Sequence, residues 1–233
     1  MRAKKLDNIT LIAVGSTRVL ESVRALEYSM KNIQFPVAKI VTHERPKNLP
    51  ARIHFESCKR LESSKEYSRY IIYDLHKHVD TDYCLLIQWD GFIINPDRWE
   101  DEFLNWDYIG AVWPIREDAY IDPFDNHRRV GNGGFTLRSK KLLEIPQRVE
   151  IPFEVNEGTF YKHMNAGSYN EDGNICVHNR HLFEKCGAKF APVDIAVRFS
   201  QELEVPEAKG IVPFGFHRYL PKGQSIKHGG HNV

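Results

Sequence analysis

The chain has 233 residues, enough for one well-filled core, so a single compact domain is expected over residues 1–220. Lys and Arg number 32 against 31 for Asp and Glu; a net charge of +1, with bases spread among acids and no basic aromatic motif, speaks against a nucleic-acid binder. The four cysteines, Cys58, Cys84, Cys176 and Cys186, are too few for a disulfide scaffold and too dispersed for a paired metal knuckle.

Met1 to Asp7 is charged, and the apolar run after it ends at Gly15, too soon for a signal h-region or a membrane span. A cytoplasmic protein without a transmembrane segment is expected. Residues 9–14 form a short β-rich run closed by Gly15-Ser16 and read as a first strand. Val19, Val23, Leu26 and Met30 recur at helical spacing over 18–31, and Pro36 ends that pattern before a second strand over 37–41. Strand, helix and strand imply a parallel pair joined by a right-handed crossover. A second helix is expected to start at Ser63 or Ser64, with Tyr67, Tyr70, Ile71 and Leu75 inward.

Residues 83–87 make a third parallel strand that stops at Gln88-Trp89-Asp90-Gly91. Asp90 therefore stands at the carboxyl end of a strand, where open α/β sheets bind ligands; a plain strand-capping acid is the alternative. Phe92 to Ile94 reads as a short strand, and Asn95-Pro96-Asp97 as the start of a helix through Phe103. Residues 106–111 lead back to the sheet. From Pro114 to Arg129 no period appears, which predicts a long surface loop able to cover a ligand. Gly131-Asn132-Gly133-Gly134 precedes a strand over 135–138; it permits close backbone approach or positive φ, or is simply a tight turn. Glu171-Asp172 precedes a helical run from Ile175 to Cys186, whose positive end two acids would suit on ordinary grounds. His217 is one histidine among 11 and packing alone would account for it. Residues 221–233, with three glycines and two histidines, read as a flexible tail.

The series Gln88-Trp89-Asp90, Trp106 to Ala111, Val130 to Ser139, Glu171-Asp172, and Phe190-Ala191-Pro192 with Ala196 and Phe199 resembles a little-characterised family of glycosyltransferase-like proteins. Its layout is similar to that of the GT-A glycosyltransferases, α/β single domains with a mostly parallel central sheet flanked by helices. The resemblance implies a nucleotide-sugar donor bound at the carboxyl edge of the sheet, and a glycan or other saccharide as acceptor.

The resemblance also implies roles. Asp90 holds the place of the last acid of an aspartate-any-aspartate element that fixes a divalent cation, Mn or Mg, on the donor diphosphate. Gln88 stands where the first acid is expected, so either a weaker metal site completed by phosphates, water and His217, or a metal-free site, follows. Gly133 and Gly134 match the segment beside the transferred and acceptor sugars, with exposed backbone as its contribution. Asp172 matches the general base of inverting enzymes, and Glu171 an orienting group beside it. Gly15, Thr17 and Arg18 end the first strand, where the base and ribose are received, and His43 and Glu44 end the second as another wall. A single glycine there is no dinucleotide fingerprint. Three classes follow: an inverting glycosyltransferase, a nucleotide-sugar or glycan binding module without turnover, and a metal-dependent phosphohydrolase or nucleotidyltransferase.

Overall fold

The computed structural model describes residues 3–116, 120–153 and 170–218, and the backbone of 227–228 and 231–232. The central sheet is built from β1 (Ile9–Val14), β2 (Val37–Thr42), β3 (His54–Ser57), β4 (Tyr83–Ile87), β6 (Tyr108–Ile109) and β7 (Phe135–Ser139), in the spatial order β3-β2-β1-β4-β7-β6. A smaller sheet joins β5 (Gly91–Ile93), β8 (Ser200–Gln201) and β9 (Gly215–His217) in the order β8-β9-β5. The helices that matter for the site are α1 (Val19–Ser29) and α2 (Ser64–Tyr73), each on a crossover between parallel strands, and the short helical run from Glu171 to Lys185.

Alternation along the strands sends neighbouring residues to opposite faces. Leu11, Ala13, Leu85 and Ile87 join one core cluster, with Leu26 of α1 and the rings of Phe92, Phe135, Phe199, Phe214 and Phe216. Ile12, Val14, Cys84 and Leu86 join the other, with Ile71 and Ile72 of α2 and Ile175 and Phe183 of the late helices. Every residue of β1 is buried, as a strand covered on both faces requires.

β1, β2, β3 and β4 are mutually parallel, as the strand-helix-strand spacing predicts, whereas β7 runs antiparallel to both neighbours. That reversal positions the site. Ile87 pairs with Phe135, so the glycine turn before Phe135 lies beside the residues that follow Ile87, and Gln88 donates its N–H to the Gly134 carbonyl at 2.8 Å.

Some expectations differ from the structure. Residues 95–103 form no continuous helix but 3-10 turns at Pro96–Arg98 and Asp101–Asn105. The backbone is extended at Trp99 and Glu100, which lets Trp99 pack edge-on against Phe103 and Phe214. β3 was not anticipated, because His54–Ser57 is an edge strand with no apolar run. In the loop after Pro114, Asp122 accepts from the N–H groups of Phe124 and Asn126 and pairs with Arg128, so residues 120–129 are a tied hairpin; residues 117–119 lie outside the described part. The same holds for most of the expected flexible tail, whose described pieces, 227–228 and 231–232, pair antiparallel. All four cysteines are free.

Candidate functional site

Two adjoining cavities open at the carboxyl edge of the parallel strands. The first, about 310 Å³, is lined by Val14, Gly15, Ser16 and Thr17 after β1, by Leu61 to Ser64 before α2, and by Tyr67, Gln88 and Trp89. The second, about 380 Å³, shares Ser64, Tyr67, Gln88 and Trp89 with it and continues to Asp90, Asn132, Gly133, Gly134, Glu171, Asp172, Glu202, His217 and Arg218. The second cavity thus brings together Asp90, Gly133, Gly134, Glu171, Asp172 and His217, which are scattered over more than half of the sequence. Gly15 and Thr17 line the first, and Arg18 lies 4.1 Å from the centroid of the Trp89 ring. His43 and Glu44 follow β2 at the same sheet edge but line neither cavity.

The start of α2 is fixed by its own sequence. Ser63 accepts from the Glu66 N–H at 3.1 Å, and the Glu66 carboxylate reaches back to the Glu62 N–H at 2.7 Å. Ser64, Tyr67 and Ser68 then face the second cavity, where Gln88 Nε2 donates to the Tyr67 hydroxyl at 3.2 Å.

The two glycines of the second cavity serve close approach. A β-carbon on Gly133 would sit 2.0 Å from Glu171 Oε1, and one on Gly134 would sit 2.0 Å from His217 Nε2. Their bareness admits a carboxylate and an imidazole, a larger part than the backbone exposure the resemblance implied. The positive φ of the turn falls instead on Asn132, at 65°, where its Oδ1 accepts from the N–H groups of Gly134 and Phe135.

His217 is carried in by the small sheet, where it pairs with Gly91 directly after Asp90. Its Nε2 lies 3.3 Å from Asp90 Oδ1 and its Nδ1 lies 3.4 Å from Glu202 Oε1. Nδ1 is also 2.9 Å from Asn132 Nδ2, from which the neutral ring would accept. Burial alone would lower the pKa of His217; Asp90 and Glu202 override it and push it up to about 9, so the imidazolium form, donating toward both acids, prevails near neutrality. The same contacts hold Glu202 below the usual carboxylate range against the opposing effect of burial. Asp90 Oδ1 and His217 Nε2 are nevertheless both buried without an aligned hydrogen bond.

Behind this layer lies Arg138 of β7, fully buried, with Nε donating to Thr136 at 3.0 Å and Nη2 3.6 Å from Glu171 Oε1. Burial opposes its charge, but Tyr108 and Glu171 more than restore it, and the guanidinium stays protonated. Glu171 Oε2 accepts from the Ser68 hydroxyl at 3.4 Å. Asp172, partly buried, accepts from the Gly173 N–H at 2.8 Å; burial, then Glu171, then Glu202 raise its carboxyl to about 7. Asp172 therefore has the higher proton affinity of a group poised near neutral pH, above what two acids at a helix start would carry on their own.

Sequence reasoning missed Glu202, Tyr67 and Ser68, and gave Arg138 no role. Arg138 left one trace: Phe135 and Leu137 alternate with Thr136 and Arg138, which placed the arginine opposite the apolar residues but did not reveal that this face is covered too. The loop residues 167–169 before Asn170 lie outside the described part. Among the described residues no group of three or more His, Cys, Asp or Glu is arranged to hold a metal ion, and no helix is long and apolar enough to cross a membrane.

An α/β domain with helices on both sides of its sheet and a cavity at the carboxyl edge resembles the GT-A fold. A crystal structure of the galactosyltransferase LgtC, in complex with donor and acceptor sugar analogues, superposes with a TM-score of 0.52 over 91% of this chain and 87% of that one, at 14% identity. At that identity the likeness concerns the fold. The chain belongs to the family described as protein of unknown function DUF5672, whose model matches residues 51–217. No curated protein matches the chain.

Proposed function

We propose that this protein is a glycosyltransferase that moves a sugar from a nucleotide-sugar donor to a hydroxyl of a glycan or other acceptor, with inversion. The observation that carries this reading is the second cavity, where Asp90 and His217 face Glu171 and Asp172 across the bare turn of Gly133 and Gly134. The first cavity, reached through Trp89, suits the nucleoside, with Gly15 and Thr17 on its wall.

In this reading the acceptor hydroxyl attacks the anomeric carbon, the bond from that carbon to the diphosphate oxygen breaks, and the proton passes to Asp172. A proton affinity raised to about 7 suits that duty at neutral pH. Glu171, held by Ser68 and Arg138, is fixed beside the base and orients the acceptor. Asp90 Oδ1 and His217 Nε2, buried, unaligned with each other and 3.3 Å apart, suit a divalent cation, Mn or Mg, completed by donor phosphates and water. When bound, the cation would offset the charge of the departing diphosphate. To hold it, His217 would have to give up its proton at Nε2.

A second reading, a nucleotide-sugar or glycan binding module without turnover, is favoured by Gln88, a neutral side chain whose amide is turned to Tyr67 where an acid is expected. Incubation with nucleotide-sugar donors and a panel of saccharide acceptors decides between the two. NMR of the product should show an anomeric configuration opposite to the donor's. Retention would refute the displacement by an acceptor activated at Asp172, and donor binding without any transfer would establish the second reading.

A further inference from the structure

We propose that Arg18 is the guanidinium that binds the donor's diphosphate, an assignment that rests on the nucleotide-sugar reading above. A donor whose nucleoside occupies the first cavity and whose sugar occupies the second must pass its diphosphate over their shared wall of Ser64, Tyr67, Gln88 and Trp89. All four side chains are uncharged, and Asp90, just beyond, is itself negative. The phosphates therefore need a cation at that wall besides any that Asp90 holds.

Arg18 is placed to supply it. Its guanidinium rests 4.1 Å from the centroid of Trp89, a ring that lines both cavities, and forms no ion pair among the described residues. The fork of N–H groups matches phosphate oxygens, and the amino terminus of α1, which Arg18 caps, adds potential of the same sign. Arg218 lines the second cavity, but it lies 4.0 Å from Glu202, whose carboxylate competes for it; Arg18, exposed and outside both linings, reaches them through Trp89 and has no such acid beside it.

The backbone makes the assignment testable. Arg18 sits at φ 50° and ψ 37°, the left-handed region that strains a residue with a β-carbon, and as the N-cap of α1 it makes no side-chain capping bond. Glycine would satisfy that backbone better and lose no cap. Arg218 shares this backbone at φ 61°, so the strain does not choose between the two arginines; it means that Arg18→Gly tests the charge without a conformational cost.

Calorimetry with UDP and uridine, and with GDP and guanosine, each in manganese and in EDTA, tests the assignment on the full chain. For the diphosphate that the wild type binds, Arg18→Gly should weaken affinity about ten-fold or more in both conditions, leave the matching nucleoside within about two-fold, and keep or raise the melting temperature. Arg18→Lys should fall between the two. Unchanged diphosphate affinity in Arg18→Gly overturns the assignment alone. Parallel loss of nucleoside and diphosphate, or a lowered melting temperature, overturns it in favour of a structural role. If the wild type binds neither UDP nor GDP, the same titrations are run with ADP, CDP and dTDP, and a wild type that binds none of the five overturns the nucleotide-sugar reading and this assignment with it.

Discussion

Replacing Asp172 by asparagine separates what this carboxyl does for the site from what it costs the fold. In the folded protein its pKa is raised from 3.8 to about 7, by burial first and then by Glu171 and Glu202. Below about pH 4 the group is protonated folded or unfolded and contributes nothing. Between there and pH 7 the folded protein keeps a proton that the unfolded chain releases, so stability falls as pH rises; above pH 7 the whole penalty is present. A shift of that size corresponds to at most about 4 kcal/mol, and sharing of charge with Glu171 and partial contact with solvent reduce it to about 2 kcal/mol. Asparagine keeps nearly the same shape, and its amide oxygen still accepts from the Gly173 N–H. Urea denaturation at about pH 4, 6 and 8 should therefore find Asp172→Asn equal to wild type at the lowest pH and more stable, by about 2 kcal/mol, at the highest. Transfer should fall by about two to four orders of magnitude while donor affinity changes little. A stability difference that does not grow with pH would refute the burial argument, and near-normal transfer would remove Asp172 from the base role.

Gly134→Ala places a β-carbon 2.0 Å from His217 Nε2, a ring too buried to swing aside, so a loss of about 1–3 kcal/mol in thermal unfolding is expected, together with weakened donor binding by calorimetry. Wild-type behaviour in both would show that the turn is roomier than it looks. Arg138→Met leaves Glu171 buried without its cation and should cost about 3–5 kcal/mol in denaturant titration, with part recovered in the double variant Arg138→Met/Glu171→Gln. Additive losses would mean that the two charges do not interact. Asp90→Asn should weaken manganese and donor affinity together, read by calorimetry; unchanged affinities would take Asp90 out of the metal and diphosphate site.

The parts of this protein legible in its sequence are those governed by neighbours along the chain. Apolar runs ending in turn residues located β1, β2 and β4; the 3.6-residue recurrence located α1; the serine pair 63–64 located the start of α2 to within one residue. Asp90 could be placed at a strand's carboxyl end because only its local run mattered. Arg138 was illegible because an arginine alternating with apolar residues reads as surface until the late helices cover that face. The edge strand β3 had no apolar run to announce it, and the 3-10 turns after Asn95 follow from where Trp99 finds its partners. The reversal of β7, which carries the glycine turn to Asp90, and the pairing of β9 with β5, which carries His217 to the same place, are decided by long-range strand pairing and leave no mark in spacing. The proton affinities of His217 and Asp172 belong to the tertiary structure for the same reason: burial and the approach of Glu202 depend on segments far apart in the chain, and a pKa responds to distance in space.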